Sequence, residues 1–279
     1  MTTDVSHDAL ARVLDGICIP PRPSLLVEVD QELDRPDPDL RHVARIVSKD
    51  VAISAAVLKT LNSPLFALRS KVGNVVQAVM LLGARNAKNV ITGLVMRNSL
   101  KGGQINLERF WDSAEKVASI NAYICSVIPR APREDAYAMG LFRDCGIPLL
   151  MQRFPDYRET LSLAASQDRV LTEFEQLRHG TSHNAVGGFV ARSWGLPDAV
   201  SQAILNHHRP AILNSDGRLP AAALTLVAVN FLAEHIVEST VQMRPDPLWE
   251  AYAGLALDHL GLSDDDYYDI EEHVIALCS

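Results

Sequence analysis

The sequence predicts an all-α protein built as two helical lobes followed by a helical C-terminal extension. Apolar residues recur at three- and four-residue spacing along most of the chain, and no stretch alternates with period two for long enough to build a sheet. Proline, glycine and capping residues stop each apolar stripe after a few turns, which predicts a stack of separate helices. With 279 residues, 48% hydrophobic and 6% aromatic, the chain is long enough to bury a core without disulfides or metals.

The elements follow in order. Leu40, Val43, Ala44 and Val47 form a stripe opened by Asp37-Pro38-Asp39. Asp50 caps the next stripe, Ile53, Ala56, Val57, Thr60 and Leu61, and Asn62-Ser63-Pro64 reads as its stop and as the turn that orients the first lobe. Val75, Val76, Val79 and Met80 lead into Gly83, and residues 84–100 read as a further helix. Lys101-Gly102-Gly103-Gln104 then breaks the pattern and predicts the boundary between lobes, which are placed at 17–103 and 104–215. Beyond it the spacing predicts helices over 108–128, closed by Pro129 and Pro132, then 134–151, 182–194 and 197–208. Residues 216–279 form the extension, with helices over 221–241, 248–260 and 265–277. No fixed-period repeat is visible, and Trp111, Trp194 and Trp249 read as core or lobe-interface anchors.

The charge excludes several function classes. Lys and Arg number 26 against 34 Asp and Glu, for a formal charge of -8. Nine of the acidic residues lie within 244–279, where Arg244 is the one basic side chain, so the main body is balanced and the tail is acidic. A balanced body lacks the basic footprint of a nucleic-acid binder. The tail reads first as a solvated helix face; as an interaction surface it would favour a basic partner and weaken with salt. No apolar run approaches a membrane span, and residues 1–14 lack the basic start and apolar core of a secretory signal. Cys18, Cys125, Cys145 and Cys278 are far apart with no C-x-x-C pair, which argues against a disulfide framework or zinc knuckle and predicts a cytoplasmic protein.

Chemistry is concentrated in a few polar residues on apolar helix faces. Asp144 follows Gly140 and Ala136 at four-residue spacing, and a carboxylate facing a core needs a cation or donors. His183 heads the stripe Val186, Gly187, Val190, Ala191 and Trp194, in which Gly187-Gly188 permits close approach of a neighbouring backbone. His207 and His208 end a helix whose inner face is Val200, Ala203 and Ile204. Imidazole and carboxylate are ligands for Mn, Fe, Zn or Mg, and these segments could bring Asp144, His183, His207 and His208 together. The plainer alternatives are a hydrogen-bonded core histidine, a His pair offsetting a helix dipole, and an Asp144–Arg143 ion pair. No G-x-S-x-G elbow, P-loop or dinucleotide fingerprint is present, and Cys145, beside a carboxylate that raises its pKa, reads as a core cysteine.

The order of these motifs resembles a known family. Tyr137-Ala138-Met139-Gly140-Leu141-Phe142-Arg143-Asp144-Cys145-Gly146 is similar to the Gly-Leu-Leu-His-Asp-Ile-Gly signature of HD-type metal-dependent phosphohydrolases. Thr181-Ser182-His183-Asn184-Ala185-Val186-Gly187, Trp194-Gly195-Leu196-Pro197 and His207-His208 resemble the later His-containing helices of that superfamily. Val57-Leu58-Lys59-Thr60-Leu61-Asn62-Ser63-Pro64 and Gln77-Ala78-Val79-Met80-Leu81-Leu82-Gly83 are similar to the N-terminal part of the HDOD branch, the HD-related output domain. The resemblance covers residues 17–215 and implies a degenerate HD-like second lobe.

The departures set the functional expectation. In an active HD site a metal-binding His precedes the Asp; here Arg143, a permanent cation, takes its place. The terminal metal-binding Asp of the superfamily is matched by Asn230, a poorer ligand for a hard cation. The resemblance therefore implies a vestigial pocket of Arg143, Asp144, His183, His207, His208 and Asn230 with no catalytic residue. It implies a bacterial signal-transduction module that binds signalling proteins in trans, or a small ligand, and needs no cofactor. The alternative is a metal-dependent phosphohydrolase acting on a nucleotide or cyclic dinucleotide with a reduced ligand set. Arg209-Pro210-Ala211-Ile212 follows the His pair in place of the Asp-Gly-x-Gly-Tyr-Pro element of HD-GYP phosphodiesterases, which argues against cleavage of cyclic di-GMP. Arg143 is expected to sit in the space of the missing metal and to satisfy Asp144.

Overall fold

Short side-chain caps lay out the first lobe in the computed structural model, which describes residues 14, 16–64, 68, 70–100, 107–128, 130–167, 170–214, 219–239 and 247–278. Helix α1 spans Ser24–Leu33, α2 Leu40–Ser48, α3 Val51–Leu61 and α4 Val75–Ser99. Asp39 accepts from the Arg41 amide at 2.9 Å, Asp50 from Ile53 at 3.0 Å and Asn74 from Gln77 at 2.8 Å, so three helix starts have an acceptor for a backbone donor that the helix itself leaves unpaired. Asn62 bonds both the amide and the carbonyl of Val72, at 2.8 and 2.9 Å, and thereby joins the end of α3 to the approach to α4. Gly83 interrupts α4 at φ 73°, where a side chain would be strained, and turns its second half toward the other lobe.

The second lobe comprises α5 (Glu108–Val127), α6 (Arg133–Phe142), α7 (Gly146–Arg153), α8 (Tyr157–Gln167), α9 (Leu171–His179), α10 (His183–Ser193) and α11 (Asp198–Asn206). A 3-10 turn over Pro210–Asn214 leads to α12 (Ala221–Val237), α13 (Pro247–Leu260) and α14 (Asp264–Cys278). All described elements are helical, as the apolar spacing predicts. The core is continuous from Leu26 and Val43 through Leu94 and Trp111 to Val186, Val227 and Leu260. Thr60 and Tyr137 meet at 3.2 Å between α3 and α6, and the buried Asn89 amide of α4 donates to the equally buried Asp135 of α6. Trp111 and Trp194 are buried core anchors, and Trp249 stacks on His235 with ring centroids 3.9 Å apart.

Three sequence expectations change. The predicted helix over 134–151 is two helices, broken at Arg143-Asp144-Cys145. Pro148 has no amide hydrogen to bond the Asp144 carbonyl, so a helix could not run through this stretch without losing that bond. The predicted helix over 221–241 ends at Val237, with residues 240–246 outside the described ones. Helices α1, α8 and α9 are additional to the predicted set. The Lys101-Gly102-Gly103-Gln104 boundary lies outside the described residues. Among the described residues no helix is long and apolar enough to cross a membrane.

Candidate metal centre

Two glycines place the first donor. Gly140 lets α6 lie directly on α5: a Cβ there would come within 2.6 Å of the Ala118 Cα. At Gly146, the first residue of α7, a Cβ would fall 2.1 Å from the His183 carbonyl oxygen. The start of α7 therefore abuts the start of α10, and the intervening turn brings Asp144 beside His183. Gly187 and Gly188 provide a second close approach, since a Cβ at Gly188 would lie 3.2 Å from the Ser201 carbonyl. The Asn184 amide adds a 2.6 Å bond to the Leu205 carbonyl, so α11 is held along α10 with His207 and His208 at its end.

Four predicted residues converge here. One donor atom from each of Asp144, His183, His207 and His208 lies within 4.8 Å of the others. Asp144 Oδ1 is 3.4 Å from His183 Nε2 and 3.5 Å from His207 Nε2, and His183 Nε2 is 3.0 Å from His208 Nε2. A tetrahedral cation bonded at roughly 2.0–2.2 Å would separate its donors by about 3.3–3.6 Å, close to these spacings. His207 Nδ1 donates to the Ile204 carbonyl at 2.7 Å, which leaves the Nε2 lone pair pointing inward. That buried Nε2 has no hydrogen-bond partner, the condition expected of an atom awaiting a ligand. Three imidazoles and a carboxylate suit Zn and the neighbouring transition metals, so the residues fit a divalent cation.

The electrostatics favour a cation. Burial raises the Asp144 pKa, but the Arg143 charge and the adjacent His183 and His207 rings outweigh it and hold the carboxyl well below its ordinary range. Burial likewise opposes charge on His183, yet hydrogen bonds to Asp144 and Glu175 push its pKa up to about 9. His208 is driven well below the usual imidazole value by burial and by the other two rings. Metal binding at His183 would compete with protons for the ring.

Arg143 borders the donor cluster. Its guanidinium lies 3.2 Å from Asp144 Oδ2 and satisfies that carboxylate, while Asp144 Oδ1 faces His183 and His207. Its Nε donates to Glu234 at 2.6 Å and Nη1 to the Gly140 carbonyl at 2.8 Å. Burial disfavours its charge, but Asp144 and Glu234 more than offset this and raise its pKa. Asn230, one turn before Glu234, is fully buried and accepts from Asn121 at 3.2 Å. Cys145 is buried with its thiol pKa raised by burial and by Asp144, consistent with a core cysteine.

Two residues escape the sequence reading. Glu234 follows Asn230 by four positions and so shares its face of α12. Glu175 is fully buried on α9, and its carboxylate accepts from the His183 backbone amide at 3.0 Å and from His183 Nδ1 at 2.8 and 2.9 Å. It also accepts from the Tyr157 hydroxyl.

Comparison with known proteins agrees with this architecture. The family model of the HDOD domain matches residues 19–210. An uncharacterised protein of Treponema pallidum (strain Nichols) is 23% identical over 209 residues, which are 74% of this chain and 40% of that protein. The chain thus spans less than half the length of that relative. Among solved structures, an HDOD domain protein of unknown function from Geobacter sulfurreducens superposes with TM-score 0.68 at 22% identity, covering 96% of this chain and 97% of the other. A Shewanella amazonensis SB2B protein described as a candidate phosphohydrolase gives TM-score 0.72 at 20% identity, covering 96% and 93%. A candidate signal transduction protein of Marinobacter aquaeolei VT8 gives 0.70 at 22%, covering 98% and 61%. With the helical architecture and the family match over most of its length, the chain belongs to the HDOD family.

Proposed function

We propose that the protein is a non-catalytic signalling module that acts through protein binding, with a single divalent cation held by Asp144, His183, His207 and His208 as a structural clamp. The closed donor set carries this reading. Structural sites of this kind use four protein ligands, whereas catalytic ones keep a position open for water or substrate. Here three imidazoles and a carboxylate converge, and the Arg143 guanidinium lies against the far oxygen of that carboxylate, where its charge repels a second cation. The cation would cross-link the turn after α6 to the start of α10 and the end of α11. Next to these ligands, Asn184 and Arg209 help to line a shallow groove edged by Leu177, which is 83% exposed, and this is the surface offered to a partner protein in trans.

The second reading is a phosphohydrolase of nucleotides or cyclic dinucleotides working with this reduced ligand set, and it rests on the presence of metal-capable donors at all. Metal content decides between them, measured by plasma mass spectrometry after loading with Zn, Mn, Fe or Mg, beside His183→Ala and with hydrolysis assays on both substrate classes. The expected result is about one cation per chain, lost in the variant, with no turnover. Two cations per chain with turnover abolished by His183→Ala would establish the hydrolase.

A further inference from the structure

We infer that Glu175 is the positioning residue of the cation site: buried behind His183, it fixes the proton on Nδ1 so that Nε2 presents its lone pair to the cation. The inference rests on the cation reading above. Among the described residues, the hydrogen-bond and ion-pair partners of Glu175 are His183 and Tyr157 alone. A fully buried carboxylate is costly unless positive charge is near. The His183 ring is the route to that charge: its far nitrogen, Nε2, stands 3.4 Å from Asp144 and 3.0 Å from His208, where a cation would bind. Both Glu175 oxygens straddle His183 Nδ1, and one also accepts from the His183 backbone amide, so ring and backbone are held by one group. The Tyr157 hydroxyl holds the carboxylate from the other side. Carboxylates hydrogen-bonded to the second nitrogen of a metal-binding imidazole fix its tautomer and raise its basicity. His207 obtains the same service from the Ile204 carbonyl, a neutral acceptor, which makes His183 the more basic ligand.

Glu175→Gln tests this. A carboxamide can donate to Nδ1, which would move the ring proton to Nε2 and block the donor. The full chain is stripped with chelator, and affinity for Zn alone is measured by chelator competition for the parent, Glu175→Gln and Tyr157→Phe, with melting curves with and without Zn. The expected result is an affinity about 10–100-fold weaker in Glu175→Gln. The Zn-induced rise in Tm, measured from each protein's own metal-free melting curve, should shrink. Equal affinity in parent and variant would overturn the role of Glu175 and leave the cation site standing. A parent that binds no Zn would overturn both readings. If Glu175→Gln does not fold, Tyr157→Phe is the deciding variant: weaker Zn binding by a folded protein supports the inference, and unchanged affinity overturns it.

Discussion

Arg143 shows how one side chain can tie a buried site together. Arg143 is 7% exposed, and its guanidinium serves Glu234, Asp144 and the Gly140 carbonyl together. Removing one partner of a buried ion pair costs about 3 kcal/mol or more, so Arg143→Ala should lower Tm by roughly 6 °C or more. A melting temperature unchanged within error would refute that account. Restoring balance by combining it with Glu234→Gln should recover part of the loss, measurable as a double-mutant cycle on the chelated protein. At this scale the four donors were legible because each is a polar residue set on an apolar stripe or at its end. Glu175 was not: Glu173 on the same helix is exposed while Glu175 is buried, and two glutamates in a charged segment carry no mark that separates them.

Among the helices, approach distance decides which substitutions matter. Gly146→Ala would force a Cβ against the His183 carbonyl, a backbone atom that cannot rotate away. Pushing α7 off α10 should cost about 1–3 kcal/mol or more and withdraw Asp144 from the histidines, so both Tm and Zn affinity should fall. Gly254 in α13 has open space around its absent Cβ, and Gly254→Ala should stabilise the protein by about 0.5–1 kcal/mol, seen as a higher Tm, without affecting Zn binding. A Gly146→Ala protein with unchanged Zn affinity would show that the close contact does not set the donor geometry. Most helix positions were legible from apolar spacing and caps. The break at Arg143-Asp144-Cys145 was missed because the apolar stripe continues across it, although Pro148 marks the restart.

For the molecule as a whole, the buried interior extends beyond the matched family segment. The family match ends at residue 210, yet α12 is buried nearly all round, from Ala223 to Ala233, and supplies Glu234 to Arg143. A chain ending at residue 215 would expose the surfaces of α5, α6 and α11 that α12 covers. It should show reduced helical circular dichroism and no cooperative melt; a cooperative melt near the parent's Tm would refute this. The sequence already carries the signal, since a segment apolar on every face suits only a buried helix, whereas its place at the centre depends on contacts between distant segments that spacing does not encode. The metal donors share that property. Asp144, His183 and His207 come from stretches that are neighbours only once the lobe has closed, so a cation held by all of them would bind the finished fold more tightly than its parts. The folded fraction would then track the free metal available, and the protein's lifetime would register metal scarcity.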